Sequence, residues 1–153
     1  SSKTTEIDNH SSLDVVNNIE CFIGDRFSDK YALMEITRYT KKNIMVYVPL
    51  RNDTTLFRSE GETDGVASGN LIINVLCINN TEFYVRNSDL SYKLSLSKDN
   101  KNIIFKHLDG TSIPIKLDKT DKYIILNNMG LPIQTTDTKL MTRGDLLIEI
   151  EYV

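Results

Sequence analysis

The sequence predicts an all-β protein, and three observations lead to this prediction. Apolar residues alternate with polar ones at a period of two, in segments rich in Ile, Leu, Val, Tyr and Thr. Gly, Asn, Asp and Ser bound these segments, as they bound strands in sheets. Only the segment Ile19–Gly24 has the pattern of a helical turn, which Gly24 would end. We therefore expect many short strands and little helix.

The alternation places the predicted strands at 31–39, 43–50, 54–60, 70–78, 89–97, 102–108, 112–118, 121–128 and 145–153. Asp109 and Gly110 stand between two of them, which predicts a tight hairpin turn that needs a positive φ. The segment 142–153, "TRGDLLIEIEYV", contains the letters of an adhesion motif. Because Asp145 leads directly into an apolar alternation, we interpret it as the start of a strand.

Three features occur twice in the same order, which indicates an internal repeat. They are a proline within a strand, a glycine after a short strand, and a glycine before a Gly-polar-Leu strand start: Pro49 and Pro114, Gly61 and Gly130, Gly69 and Gly144. We predict two tandem β-sandwich or barrel-like subdomains in an elongated chain, at 11–88 and 89–153, after a flexible leader at 1–10. Both prolines should lie on edge strands, since proline cannot donate to a β-ladder.

Composition excludes several classes of protein. The 153 residues are 40% hydrophobic and 25% charged, with a net charge of −3, which is typical of a packed fold without the basic stripe of nucleic-acid-binding proteins. No apolar run reaches the about 18 residues that cross a bilayer, and the first residues are polar, unlike a signal peptide. We expect a cytoplasmic (intracellular) protein with neither a membrane nor a nucleic acid as partner.

Candidate chemistry is sparse. No phosphate-binding, dinucleotide-binding, zinc-protease or serine-hydrolase motif occurs. His107 is expected on a sheet surface, and a Cys21–His107 dyad would need an orienting third group. Cys21 and Cys77 are too few for a disulfide framework or zinc site, so we expect buried free thiols. The acids at 59–65 lack calcium-loop spacing. The sequence predicts no enzyme, metal or cofactor.

The order of motifs resembles the C-terminal substrate-binding region of DnaJ-family (J-domain) co-chaperones, from about Leu13 to Val153. "DLSYKLSLS", "KHLDGTSIPIKL", "NNMGLPI" and "TRGDLLIEIEYV" are similar to the family's D-L-x5-L-S strand, L-D-G hairpin, G-x-G-M-P-I corner and R-G-D-L strand. Only "YTKK" separates "EITR" from "NIMV", as in the zinc-free class. The chain departs from the pattern at Asn80, Asn87, Ser59 and Asn128.

The resemblance implies a protein-folding and stress-response function without catalysis. An extended, unfolded client would add to a sheet edge of the first subdomain, and its side chains would enter an apolar groove. By alignment, the groove residues would be Leu13, Val15, Met34, Ile36 and Phe83. Alternating residues of a sandwich more commonly face its core, and Phe83 could instead seal the joint between the subdomains.

The resemblance also implies a partner, a DnaK-type chaperone whose acidic C-terminal tail would bind Lys30, Arg38, Lys41 and Lys42. A solvated strand rim is the commoner explanation for such residues. The family's dimerising helix would follow the last strand, so we expect a dimer in a full-length parent and a monomer for these residues alone. The alternative interpretation is a structural or assembly module that reuses the DnaJ C-terminal fold.

Overall fold

A computed structural model of the protein describes residues 11–118 and 120–153; the predicted leader and His10 lie outside this part. Within it, one short helix and eleven strands follow in the order β1 Val15–Phe22, α1 Ile23–Phe27, β2 Tyr31–Ile36, β3 Ile44–Pro49, β4 Thr54–Phe57, β5 Leu71–Ile78, β6 Tyr84–Arg86, β7 Asp89–Leu96, β8 Asn102–Lys106, β9 Ser112–Lys116, β10 Tyr123–Leu126 and β11 Leu146–Tyr152. The all-β prediction is confirmed.

The first half of the chain forms two sheets. In one, β5 lies between a parallel partner, β1, and an antiparallel partner, β4. In the other, β2 pairs antiparallel with β3. Their inner faces meet in a cluster of buried residues that includes Ile36, Val48, Leu71 and Ile73, which are all nearly inaccessible to solvent.

The second half repeats this arrangement. β11 lies between the parallel strand β7 and the antiparallel strand β10, and β8 pairs antiparallel with β9. The repeat extends to single residue pairs, since Val15 opposite Leu71 corresponds to Leu90 opposite Leu146. The short strand β6 adds to the free side of β7.

The glycine corners are also built alike in both halves. Asn70 N–H donates to the Asp14 carboxylate at 2.6 Å, and Asp145 N–H donates to the Asp89 carboxylate at 2.8 Å. Ser59 and Asn128 hold the same left-handed conformation, with φ of 62° for each residue. Ser59 N–H donates to Asn70 Oδ1, and Asn128 N–H donates to Asp145 Oδ1. The side chains of Asn70 and Asp145, which directly precede β5 and β11, therefore also stabilise the corner before each strand.

Residues from both halves meet at a junction. The Arg51 guanidinium is buried and bonds the Asp29 carboxylate at 2.6 and 2.9 Å, and it also donates to Leu140 O at 2.8 Å. Asn52 exchanges two hydrogen bonds of 2.9 Å with the main chain of Thr135. Phe27 of α1 belongs to the buried cluster of the second half. Polar and apolar contacts thus both connect the halves.

Several predictions of local structure are confirmed. The Asp109–Gly110 hairpin joins β8 to β9, and Gly110 has a φ of 83°. Pro49 and Pro114 lie in two-stranded sheets, where every strand is an edge. In the described residues, no helix is long and apolar enough to cross a bilayer.

The helical turn predicted at Ile19–Gly24 is wrong. Residues up to Phe22 belong to β1, and α1 starts at Ile23 and ends before Ser28. The sequence pattern was hidden because Asn17 takes an inward position between Val15 and Ile19, which interrupts the apolar alternation. Pairing with β5 over all eight residues stabilises the extended conformation.

Candidate peptide-binding surface

The free side of β2 is an open strand edge. Leu50 N–H donates to Lys30 O at 3.0 Å, which directs the main-chain groups of the even-numbered residues of β2 towards β3. The main-chain groups of Tyr31, Leu33 and Glu35 therefore point away from β3, to the side where β2 has no neighbouring strand among residues 11–118 and 120–153. Such an edge is a template for an added strand.

An exposed apolar surface lies beside this edge. We call it the outer face; its residues are Tyr31, Leu33, Met45 and Tyr47, which are 45%, 54%, 57% and 67% exposed. Leu33 and Tyr47 are paired across the two strands. Apolar side chains opposite each other on an open face offer a contact surface to the side chains of an extended ligand.

The second half lacks this surface at the equivalent position. Tyr31 pairs with Pro49 in the first half, and Ile104 pairs with Pro114 in the second, so the prolines align the two sheets. Two residues further along, Leu33 opposite Tyr47 corresponds to Lys106 opposite Ser112. The apolar outer face is therefore a property of the first half.

The predicted groove residues lie mostly on the inner side of the sandwich. Ile36 is 1% exposed and belongs to the core. Val15 and Met34 are partly exposed and pack against that core. Leu13 is partly exposed in the turn before β1, where its carbonyl oxygen accepts from Glu62 N–H. A client-binding role for these residues stays a prediction.

Phe83 is placed away from these four residues, in the buried cluster of the second half. Its ring stacks on His107 at 5.6 Å and contacts Tyr92 and Phe105 at 5.0 and 5.9 Å between ring centroids. Its position matches the alternative in which it seals the joint, because it comes from the end of the first half and packs on rings of the second.

The four basic residues predicted to bind an acidic tail differ in their availability. Arg38 is buried; it bonds Glu60 Oε1 at 3.1 Å and also donates to the Lys42 carbonyl oxygen. Lys41 donates to Ser59 O at 2.6 Å. Lys30 forms an exposed ion pair with Asp25, and Lys42 is exposed.

The two cysteines are neighbours in space, which their separation in sequence did not indicate. Cys21 in β1 and Cys77 in β5 are register partners, and both are free thiols. Burial, and next the nearby Cys77 thiol, raise the pKa of Cys21 to about 11. Cys21 is therefore a poor nucleophile at neutral pH. The described residues contain no cluster of three or more His, Cys, Asp or Glu side chains that could hold a metal ion.

His107 is buried, so the prediction of a sheet-surface histidine is wrong. Its Nε2 lies 2.7 Å from Met129 O, and its Nδ1 accepts a hydrogen bond from Leu108 N–H at 2.7 Å. Both bonds are satisfied by the neutral ring with the proton on Nε2. Burial lowers the pKa of His107 below its ordinary value. The His107 ring packs against the Phe27, Phe83 and Phe105 rings, so it is a packing residue of the core.

We expect His107 to make the fold sensitive to acid. Its pKa is lower in the folded than in the unfolded chain, where it is about 6.5. Its stabilising contribution is therefore complete above about pH 6.5 and is lost as the pH falls towards the lowered value. Urea unfolding at pH 7.5 and 5.0 should show a smaller loss of stability for His107→Gln than for the parent. An equal loss in both proteins would contradict this assignment.

Comparison of the whole sequence with models of known protein families finds no match, and comparison with curated proteins also finds none.

Proposed function

We propose that the chain binds extended, unfolded polypeptide segments by strand addition at the free edge of β2, as the client-binding region of a DnaJ-type co-chaperone of the zinc-free class. The observation that carries this proposal is an open strand edge with apolar side chains on both of its faces. Tyr31 and Leu33 lie on the outer face, and Met34 lies at the rim of the core.

Edge strands are commonly protected by charged residues or proline, and here Lys30 and Glu35 flank the apolar part of the edge. Between Tyr31 and Met34 the edge has no charge and no proline. Main-chain hydrogen bonds to Tyr31 and Leu33 would be independent of client sequence, which suits a chaperone with many clients. Each buried client side chain would contribute about 1.5–3 kcal/mol before the cost of ordering, so a few such contacts give weak, reversible binding.

The DnaK-type partner is also part of the proposal. Arg38 is already bonded within the fold, so an acidic tail would bind the exposed Lys30 and Lys42 and the partly exposed Lys41. Each of these contacts is a surface ion pair worth roughly 0–1 kcal/mol. Tail binding should therefore weaken strongly when the salt concentration rises.

Substitution at Leu33 tests the proposed edge. Leu33→Glu should weaken the binding of a fluorescent heptapeptide with leucine at alternate positions by about tenfold, which corresponds to about 1.4 kcal/mol. The reason is that a carboxylate would stand where a client side chain packs. Fluorescence polarisation measures the affinity, and suppression of aggregation of a denatured client protein measures the activity.

Ile104→Glu is the matched control, because Ile104 is also exposed and lies in the equivalent sheet of the second half. Circular dichroism checks that both variants keep the fold. If the folded Leu33→Glu variant bound the peptide as tightly as the parent, the outer face would be excluded as a client-binding surface. Met34→Asp tests the rim of the core in the same assays, and full suppression of aggregation by this variant, if folded, would exclude Met34.

The second candidate function is that of an assembly module. The close structural correspondence between the halves favours it, because equivalent strand pairing and corners would be required for the architecture even if the chain bound no client. Affinity purification distinguishes the two. A chaperone should retain heterogeneous unfolded clients that Leu33→Glu releases. An assembly module should retain one partner in stoichiometric amounts.

A further inference from the structure

A cavity of about 540 Å³ lies at the junction of the halves, away from the β2 edge. Its lining is mostly apolar and includes the buried residues Ile23, Val75, Phe83 and Leu131. Leu76, Tyr84 and Val85 are exposed at its rim. Both halves of the chain therefore contribute to one apolar pocket.

A buried arginine lines this cavity with an unused donor. Arg26 is 7% exposed; its Nε donates to Leu50 O at 2.7 Å, and its Nη1 bonds Asp53 Oδ1 at 2.9 Å. Its Nη2 is buried and has no hydrogen-bond partner among the described residues. An unsatisfied buried donor destabilises the fold, and an acceptor bound in the cavity would relieve this cost.

The charge of Arg26 is already balanced by Asp53, which also lines the cavity. A carboxylate ligand would stand close to the Asp53 carboxylate and would be repelled by it. A neutral carbonyl oxygen is repelled much less than a carboxylate and still accepts a hydrogen bond from Nη2. The chemistry of the cavity therefore favours an amide over an acid.

The adjacent strand offers main-chain groups on the same side. β4 pairs with β5 only as far as Asn74, and Val75 N–H then donates to Asp53 O at 2.8 Å. The alternation of β5 directs the main-chain N–H and C=O of Cys77 to this same side, beyond the end of β4. Cys77 also lines the cavity.

We propose that this cavity is a second peptide site, which binds a short, uncharged, extended segment continuing the line of β4. The segment pairs with the Cys77 main chain, and one of its carbonyl oxygens accepts from Arg26 Nη2. One apolar side chain of the segment enters the pocket between Phe83 and Leu131. The site shares no residue with the β2 edge, so it does not depend on the function proposed there.

The probe is a tetrapeptide, Ala-Leu-Val-Ala, acetylated at its N-terminus and amidated at its C-terminus. NMR titration of the full chain should shift the amide signals of Cys77 and Val85 and the guanidinium signal of Arg26. Saturating peptide should also slow alkylation of Cys77 by iodoacetamide at least threefold, with the modified cysteine identified by mass spectrometry. An absence of shifts and of protection at millimolar peptide overturns the proposal.

Variants separate this site from others. Val85→Glu places a carboxylate at the rim and should abolish both the shifts and the protection, whereas Ile104→Glu should leave them unchanged. Arg26→Lys keeps the charge beside Asp53 but loses the forked donor, and should weaken binding about tenfold. Because Arg26 also bonds within the fold, Val85→Glu remains decisive if Arg26→Lys does not fold.

Two further measurements complete the test. Leu33→Glu removes the outer-face contact at the β2 edge, so cavity signals that persist in this variant report the second site alone; their loss would assign the signals to the edge. The same peptide with a free C-terminal carboxylate should bind more weakly than the amide. Tighter binding of the acid would overturn the proposed carbonyl contact.

Discussion

Replacing Arg51 by alanine is expected to lower the free energy of unfolding by about 3–5 kcal/mol, the cost of breaking a buried ion pair. The side chain of Arg51 is 1% exposed and that of Asp29 is 13% exposed, so neither is well solvated. The Arg51 guanidinium donates to both the Asp29 carboxylate and the Leu140 carbonyl oxygen. Removing it leaves both acceptors without this donor. Since whole domains are stable by only about 5–15 kcal/mol, this is a large fraction.

A double variant tests the cause of that loss. Arg51→Met fills part of the space without a charge, and Asp29→Asn removes the unpaired carboxylate. Asn tolerates the left-handed conformation of Asp29, whose φ is 55°. The double variant should be more stable than Arg51→Met alone by about 1–3 kcal/mol. Urea unfolding measures each value, and simple additivity of the two changes would contradict a coupled pair.

The strand pattern was predictable because the signals for it are local. Alternation and turn residues located nine of the eleven strands in the part of the chain that the structure describes, and the prolines and glycines indicated the repeat. β6 was missed because a strand of three residues is too short to show alternation. Most of β1 was missed because Asn17 and Asn18 interrupt its apolar pattern.

The faces of the strands were harder to predict than their positions. In "YALMEI", Tyr31 and Leu33 are apolar at odd positions, while Met34 and Ile36 are apolar at even positions. A period of two places these pairs on opposite faces but does not say which face is inside. The even face is the core, so the exposed apolar residues are the ones that sequence reasoning passed over.

Buried polar residues were the least predictable part of the fold and of the junction cavity. Arg26, Arg51 and His107 are buried, although a charged or polar residue in a β-rich chain is expected at the surface. The partners that satisfy them lie far away in the sequence, so no local pattern indicates the burial. Arg51 and Leu140, for example, are 89 positions apart. The repeat gave no help with this contact, since it joins the two halves and does not recur within each.

Replacing Gly144 by alanine is expected to lower the free energy of unfolding by about 1–3 kcal/mol through overpacking. A Cβ at this position would lie less than 3 Å from the Ser88 carbonyl carbon and oxygen, which are backbone atoms and cannot rotate aside. Gly69 stands in the same relation to the backbone of Leu13. Because the two corners have equivalent hydrogen bonds, we expect Gly69→Ala to lower the free energy of unfolding by a similar amount.

Gly24→Ala is the matched control, because a Cβ there would meet no atom within 4 Å outside the adjacent residues and the backbone of α1. Alanine is favoured over glycine within a helix by up to about 1 kcal/mol, so this variant should be as stable as the parent or slightly more stable. Urea unfolding measures the stability of all three variants, provided that the slope of the free energy of unfolding against urea concentration is the same as in the parent. If Gly144→Ala and Gly24→Ala were equally stable, the close approach of the chain at the corner would not be a constraint. A loss at Gly144 alone would instead mean that the two corners, although bonded alike, differ in how readily their backbone can move.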